Sequence, residues 1–225
     1  MMASTHAAYG FVSSYALAML FVKFISPASY ALIAPVTAYL VILGMLGGLF
    51  PDLDQLQFWG PPAISKHFVH KKTCHYIAGY FITTVGLLTV AYLFRDYALG
   101  FLGVGCASIG AGVHSLMDPF DGWNDNNPKW GIYEHIHFGW LPSLRWVMFA
   151  GMWEWIVQAF ATIWFIWISA NLSALTVFDW SMPGWTVATV SYAFVWVLSM
   201  LWDARAAVER QTRERAAVRA IRGTK

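Results

Sequence analysis

The sequence predicts an all-α polytopic membrane protein, a bundle of about six transmembrane helices with a metal site at its cytoplasmic helix ends. Three observations predict it. Residues are 58% hydrophobic and only 12% charged, whereas a soluble domain carries about 25% charged residues. Six stretches, approximately 7–25, 31–50, 75–94, 98–117, 147–170 and 185–202, are long and apolar enough to cross a hydrocarbon core of about 30 Å at about 1.5 Å per helical residue. His6, His67, His70, His75, His114, His135 and His137 all fall on or beside polar ends of these stretches, and a parity count puts those ends on one side.

The first stretch has no Lys or Arg before Lys23 and no small-residue cleavage site directly after it, so it reads as a retained helix rather than a cleaved signal. The second contains Gly44 and Gly48, spaced to let helix backbones approach closely in lipid, and ends at Pro51. Thr73 is placed to cap the third. In the fourth, Gly103, Ala107 and Ala111 recur every fourth residue, and Pro119 stops the helix at Asp118 because the residue before a proline is pushed out of helical geometry. The fifth and sixth carry most of the thirteen Trp, of which only Trp59 precedes residue 123, as expected of interfacial anchors. Glu154 lies within the fifth, where an ionisable group is a functional candidate unless the helix enters the membrane after it.

Positive charge gives the orientation. With six crossings, Lys66, Lys71, Lys72, Lys129, Arg145 and seven residues from Arg205 to Lys225 share one side, against Lys23 and Arg95 on the other. Both termini are therefore expected in the cytoplasm, with the chain in the cytoplasmic (inner) membrane. Residues 1–202 form one transmembrane helical domain and 203–225 a basic cytoplasmic tail suited to anionic headgroups. No linker or repeat of 20–50 residues divides the chain. Cys74 and Cys106 are too far apart along the bundle axis for a disulfide, in keeping with a reducing compartment.

The candidate metal ligands sit at those cytoplasmic ends. His114 and Asp118 are four apart, on one helix face, and Pro51-Asp52-Leu53-Asp54 follows the apolar run Leu40–Phe50. His70 and His75 flank a basic turn that includes Lys71 and Lys72, and His6 joins from the start of the first helix. Imidazole with carboxylate is the donor set of zinc, manganese or iron. Glu134, His135 and His137, in the Trp- and Gly-rich segment Asp121–His137, are further candidates, whereas Asp121 and Asp125 read as a wet loop.

At these residues the chain resembles the LexA-regulated inner-membrane metal-dependent hydrolase family (YdjM-like). That family's pattern is an N-terminal His, a Pro-Asp-x-Asp element, a His-Arg-Gly-x-Thr-His turn and a His-x-x-x-Asp helix end. Here it is matched by His6, Pro51-Asp52-Leu53-Asp54, His70-Lys71-Lys72-Thr73-Cys74-His75 and His114-Ser115-Leu116-Met117-Asp118, over residues 6–118. Gln55 stands where the family often has His, Lys72 replaces Gly, and Cys74 replaces Thr. More distantly, the order is similar to that of zinc-dependent phospholipase C and P1 nuclease, helical enzymes that hydrolyse phosphoesters.

A divalent ion acidifies a bound water and polarises a phosphoryl oxygen, so hydrolysis of a phosphoester is the expected chemistry. Asp52, His70, His75, His114, Asp118 and His6 are the expected ligands. Asp54 is the expected bridging ligand or base, and Lys71 and Lys72 the groups that hold the substrate phosphate. A site at the membrane surface favours a lipid or lipid-linked phosphoester, with no nucleic-acid partner; the sequence leaves oligomeric state open. A non-enzymatic membrane module with a structural ion, or a cation transporter, are the alternatives; a transporter would be expected to carry ionisable residues near the bilayer midplane.

Overall fold

The computed structural model describes residues 3–21, 23, 37–55, 60–67, 73–118, 133–134, 139–140, 152–170, 190–205, 208 and 212, and the architecture is helical. Helix α1 spans Ala3–Leu20, α2 Thr37–Leu49, the short α3 Pro62–Ser65, α4 Ile77–Leu93, α5 Ala98–Met117 and α6 Met152–Ala170; residues 190–205 form a further helix, α7. Each of the six apolar stretches thus contains a helix. Of these, Arg95–Met117 is long and apolar enough among the described residues to cross a membrane by itself, while Ile77–Leu93 and Trp155–Trp164 are shorter apolar helices. Two strands of two residues, Tyr133–Glu134 and Gly139–Trp140, pair antiparallel between the fourth and fifth apolar stretches.

Small residues explain how the bundle packs. A Cβ on Gly10 would collide with the carbonyl of Gly44, one on Gly47 with the carbonyl of Ala107, and one on Gly110 again with the carbonyl of Gly44. Backbones of α1, α2 and α5 therefore touch directly, the arrangement small residues permit in lipid. Gly44, Gly48 and Ala107 take part as the sequence predicts. Gly103 does not make backbone contact: a Cβ there would meet the Leu43 side chain at 3.1 Å.

Around this seam, α4 packs on α5, and α6 on α1 and α2. One apolar cluster joins Phe11, Val41, Met45, Val157, Ala161, Tyr192 and Val195 across α1, α2, α6 and α7. A second joins Ala18, Phe21, Leu40, Ala91, Leu102 and Cys106. Cys74 and Cys106 are both free.

Helix ends depart from expectation in two places. Tyr76, not Thr73, occupies the N-cap of α4 and makes no side-chain cap bond; the turn is instead tied by the Tyr80 hydroxyl, which donates to the Cys74 carbonyl at 2.6 Å. At the other end of the chain α7 runs through residue 205, past the expected boundary at 202. Asp203 accepts from the Ala3 N–H at 2.6 Å, the Ser4 N–H at 3.1 Å and the Ser4 hydroxyl at 2.6 Å. It caps α1 from 200 residues away, satisfying N–H groups that a helix start leaves open.

Candidate metal centre

The first turn of α1, the C-terminal end of α2, the turn before α4 and the C-terminal end of α5 meet at one end of the bundle. A 3-10 turn, Phe50–Gln55, continues α2, because Pro51 lacks the N–H that further α-helix would use. That turn directs Asp52 and Asp54 inward. His6, Asp52, Asp54, His75, His114 and Asp118 all converge here, none more than 5% exposed.

Each of two histidines is held from behind. His75 Nδ1 is 2.8 Å from Asp54 Oδ2, and His114 Nδ1 donates to the Gly48 carbonyl. Metal-binding histidines carry such a partner on the ring nitrogen that does not bind the ion, which fixes tautomer and ring orientation. Both Nε2 atoms then point forward: His75 Nε2 lies 2.9 Å from Asp118 Oδ2, and His114 Nε2 lies 3.7 Å from Asp118 Oδ1 and 3.8 Å from Asp52 Oδ1. His6 Nε2 lies 3.3 Å from Asp118 Oδ1. Its ring stacks on His114 with centroids 3.5 Å apart, an arrangement that disfavours two imidazolium charges in contact.

His114 Nε2 is buried and without a hydrogen-bond partner among the described residues. Its distances to the two carboxylates exceed hydrogen-bond length. A proton there would have no acceptor, and a lone pair would face two anionic oxygens; a cation between them removes both difficulties. Donors on an ion held at about 2.0–2.2 Å stand roughly 3–4 Å apart, as these do. Two groups of donors, His6 with His114 and Asp118, and Asp52 with His75 and His114, each lie within 4.8 Å. Both use His114, whose one remaining lone pair can bind one ion.

Burial by itself would lower the His75 pKa, but the hydrogen bonds and negative charges of Asp118 and Asp54 outweigh it and hold the ring protonated up to about 9. Burial, and next the Asp54 charge, push the Cys74 thiol up to about 11, so it stays protonated near neutrality and does not join as a thiolate.

Of the sequence-predicted ligands, five therefore offer donor atoms, and Asp54 stands behind His75 rather than among the donors. His70, Lys71 and Lys72 lie outside the described residues, as do Asp121, Asp125, His135 and His137. Glu134 belongs to the first short strand, Glu154 to the first turn of α6. His67 is exposed on the turn after α3. Sequence reasoning missed Gln55, whose Nε2 donates to Asp52 Oδ1 at 2.6 Å, and Trp202, whose Nε1 donates to Gln55 Oε1 at 3.0 Å. For Gln55 a signal existed, three residues along the same turn; for Trp202, 147 residues away, there was none. No family model, no curated protein and no solved structure matches the chain.

Proposed function

We propose that the chain is a membrane-bound metal-dependent hydrolase that cleaves a phosphoester of a lipid or lipid-linked substrate, with its site and both termini at the cytoplasmic face of the inner membrane. One observation carries the metal: the buried His114 Nε2, oriented by Gly48, faces Asp52 and Asp118 with no proton-mediated bond to either. Buried charge of one sign is costly unless it is paired. His6, Asp52, His75, His114 and Asp118 would hold one divalent ion, zinc by donor type, with manganese or iron compatible.

Such an ion supplies Lewis acidity to a phosphoryl oxygen and acidifies a water. The protein's own groups do the positioning. Asp54 orients His75 through Nδ1, and the Gly48 carbonyl does the same for His114. Lys71 and Lys72 bind the substrate phosphate as point charges.

The membrane part of the proposal is supported by apolar side chains that face outward. Ile82, Val85 and Leu93 on α4, Val104 on α5, Ile163 on α6, and Phe194, Val197 and Leu201 on α7 are all more than half exposed. Extensive exposed apolar surface marks a membrane or protein interaction face, and hydrocarbon accepts it.

A second reading, a non-enzymatic membrane module whose ion ties helix ends together, is favoured by the burial of all five ligands, since structural sites are closed while catalytic ones keep an open position. Metal analysis of detergent-purified protein, followed by assay on phospholipids, lipid-linked phosphates and nucleotides, separates the two. One ion per chain with turnover on a lipid phosphate is expected. An ion without turnover on any of them leaves the module, and protein that takes up no divalent ion overturns both.

A further inference from the structure

We propose that Gln55 and Trp202 are positioning residues of this centre, forming a two-bond relay by which the last helix fixes the carboxylate of Asp52. The proposal rests on the metal reading above. The indole of Trp202 can only donate and the carboxylate of Asp52 can only accept, so the carboxamide between them has one orientation: Oε1 toward Trp202 at 3.0 Å and Nε2 toward Asp52 at 2.6 Å. Flipping it would break both bonds at once. The oxygen that receives the relay, Asp52 Oδ1, is the same oxygen that stands 3.8 Å from His114 Nε2. The relay therefore ends on a donor atom of the centre.

The neighbouring residue does parallel work on a second ligand. Asp203 holds the backbone N–H groups of Ala3 and Ser4, which fixes the first turn of α1 and with it His6. Gln158 Nε2 donates to Thr5 Oγ1 at 3.1 Å from α6, bracing the same turn from the other side. Adjacent positions on α7 thus steady two ligands that come from different elements.

The test is a cobalt(II) titration of metal-free, full-length protein in detergent, read by visible absorption. The proteins compared are the wild type, Gln55→Met, Trp202→Phe and the double variant. Loss of a partner that orients a ligand costs about 10–100-fold in metal affinity. Gln55→Met should weaken cobalt binding by at least about 10-fold and change the shape of the visible bands. Trp202→Phe, which keeps a ring in place, should weaken it when Gln55 is present and have no further effect beside Gln55→Met, because coupled residues are non-additive.

Independent, additive effects, or unchanged affinity and bands in both single variants, overturn the relay while leaving the metal centre. A wild type that binds no cobalt overturns the metal reading and the relay with it. If Gln55→Met does not fold, Trp202→Phe decides alone: unaltered affinity and bands overturn the relay.

Discussion

At the residue scale the centre turns on which nitrogen of each imidazole is free. His75 and His114 both commit Nδ1, to Asp54 and to Gly48, so each has one atom left to offer. The two donor groups share His114, which predicts one ion per chain, measured by elemental analysis of purified protein. His114→Ala or Asp118→Ala removes a donor outright and should reduce bound metal to a small fraction of wild type; unchanged content in both would remove them from the centre. A pH dependence also follows. In metal-free protein, folding raises the His75 pKa from an ordinary 6.5 to about 9, so its contribution to stability is fully present below pH 6.5 and is lost as pH rises through about 9. Thermal unfolding of metal-free protein should thus show a midpoint that falls across that window. Metal displaces the same proton, so ion affinity should rise with pH over the window, and a flat profile for both quantities would contradict the charge placement.

At the element scale, the glycine seam decides whether four helix ends can meet. A Cβ on Gly48 would strike the carbonyl of His6, and the Gly48 carbonyl receives the His114 Nδ1 proton. One residue thus sets the approach of α1 and the orientation of His114 on α5. Gly48→Ala should destabilise by about 1–3 kcal/mol, the usual range for overpacking, and should also lower metal content. Gly86→Ala is the control: nothing lies within 4 Å of its Cβ position, and alanine in a helix interior stabilises by roughly 0.5–1 kcal/mol. Chemical unfolding in detergent measures both, and equal effects would show that contact at the seam is not what limits the substitution.

For the whole molecule, the proposed cytoplasmic orientation of both termini predicts an accessibility pattern. In a Cys74→Ala, Cys106→Ala background, cysteines placed at Ser65 and Lys225 should resist an impermeant thiol reagent in intact cells, while one at Ser29 reacts; labelling of the first two from outside would reverse the assignment. The helices and their order were legible because apolar length is a local property, and His114 with Asp118 because i, i+4 spacing is local too. Asp52 and His75 were legible as residue types at helix ends, but their pairing with His114 needed the packing of α2 and α4 against α5. Asp54 was read as a bridging ligand or base, whereas its place behind His75 depends on the 3-10 turn after Pro51. Trp202, at the end of an apolar stretch, and Asp203, at the start of a tail rich in Ala and Arg, carried no local sign, since each looks alike whether it docks or not. The short strand pair at Tyr133 and Gly139 has no alternating pattern long enough to announce it.

The bonds between Asp203 and the first turn of α1 have a consequence for how the protein is made. Translation at 5–20 residues per second separates the emergence of Ser4 from that of Asp203 by about 10–40 s. Throughout that interval the first turn of α1 lacks its Asp203 partner. The first turn of α1, and His6 with it, is therefore fixed only after residue 203 has been made, and on the proposed metal reading a nascent chain stalled before that point should hold the ion poorly.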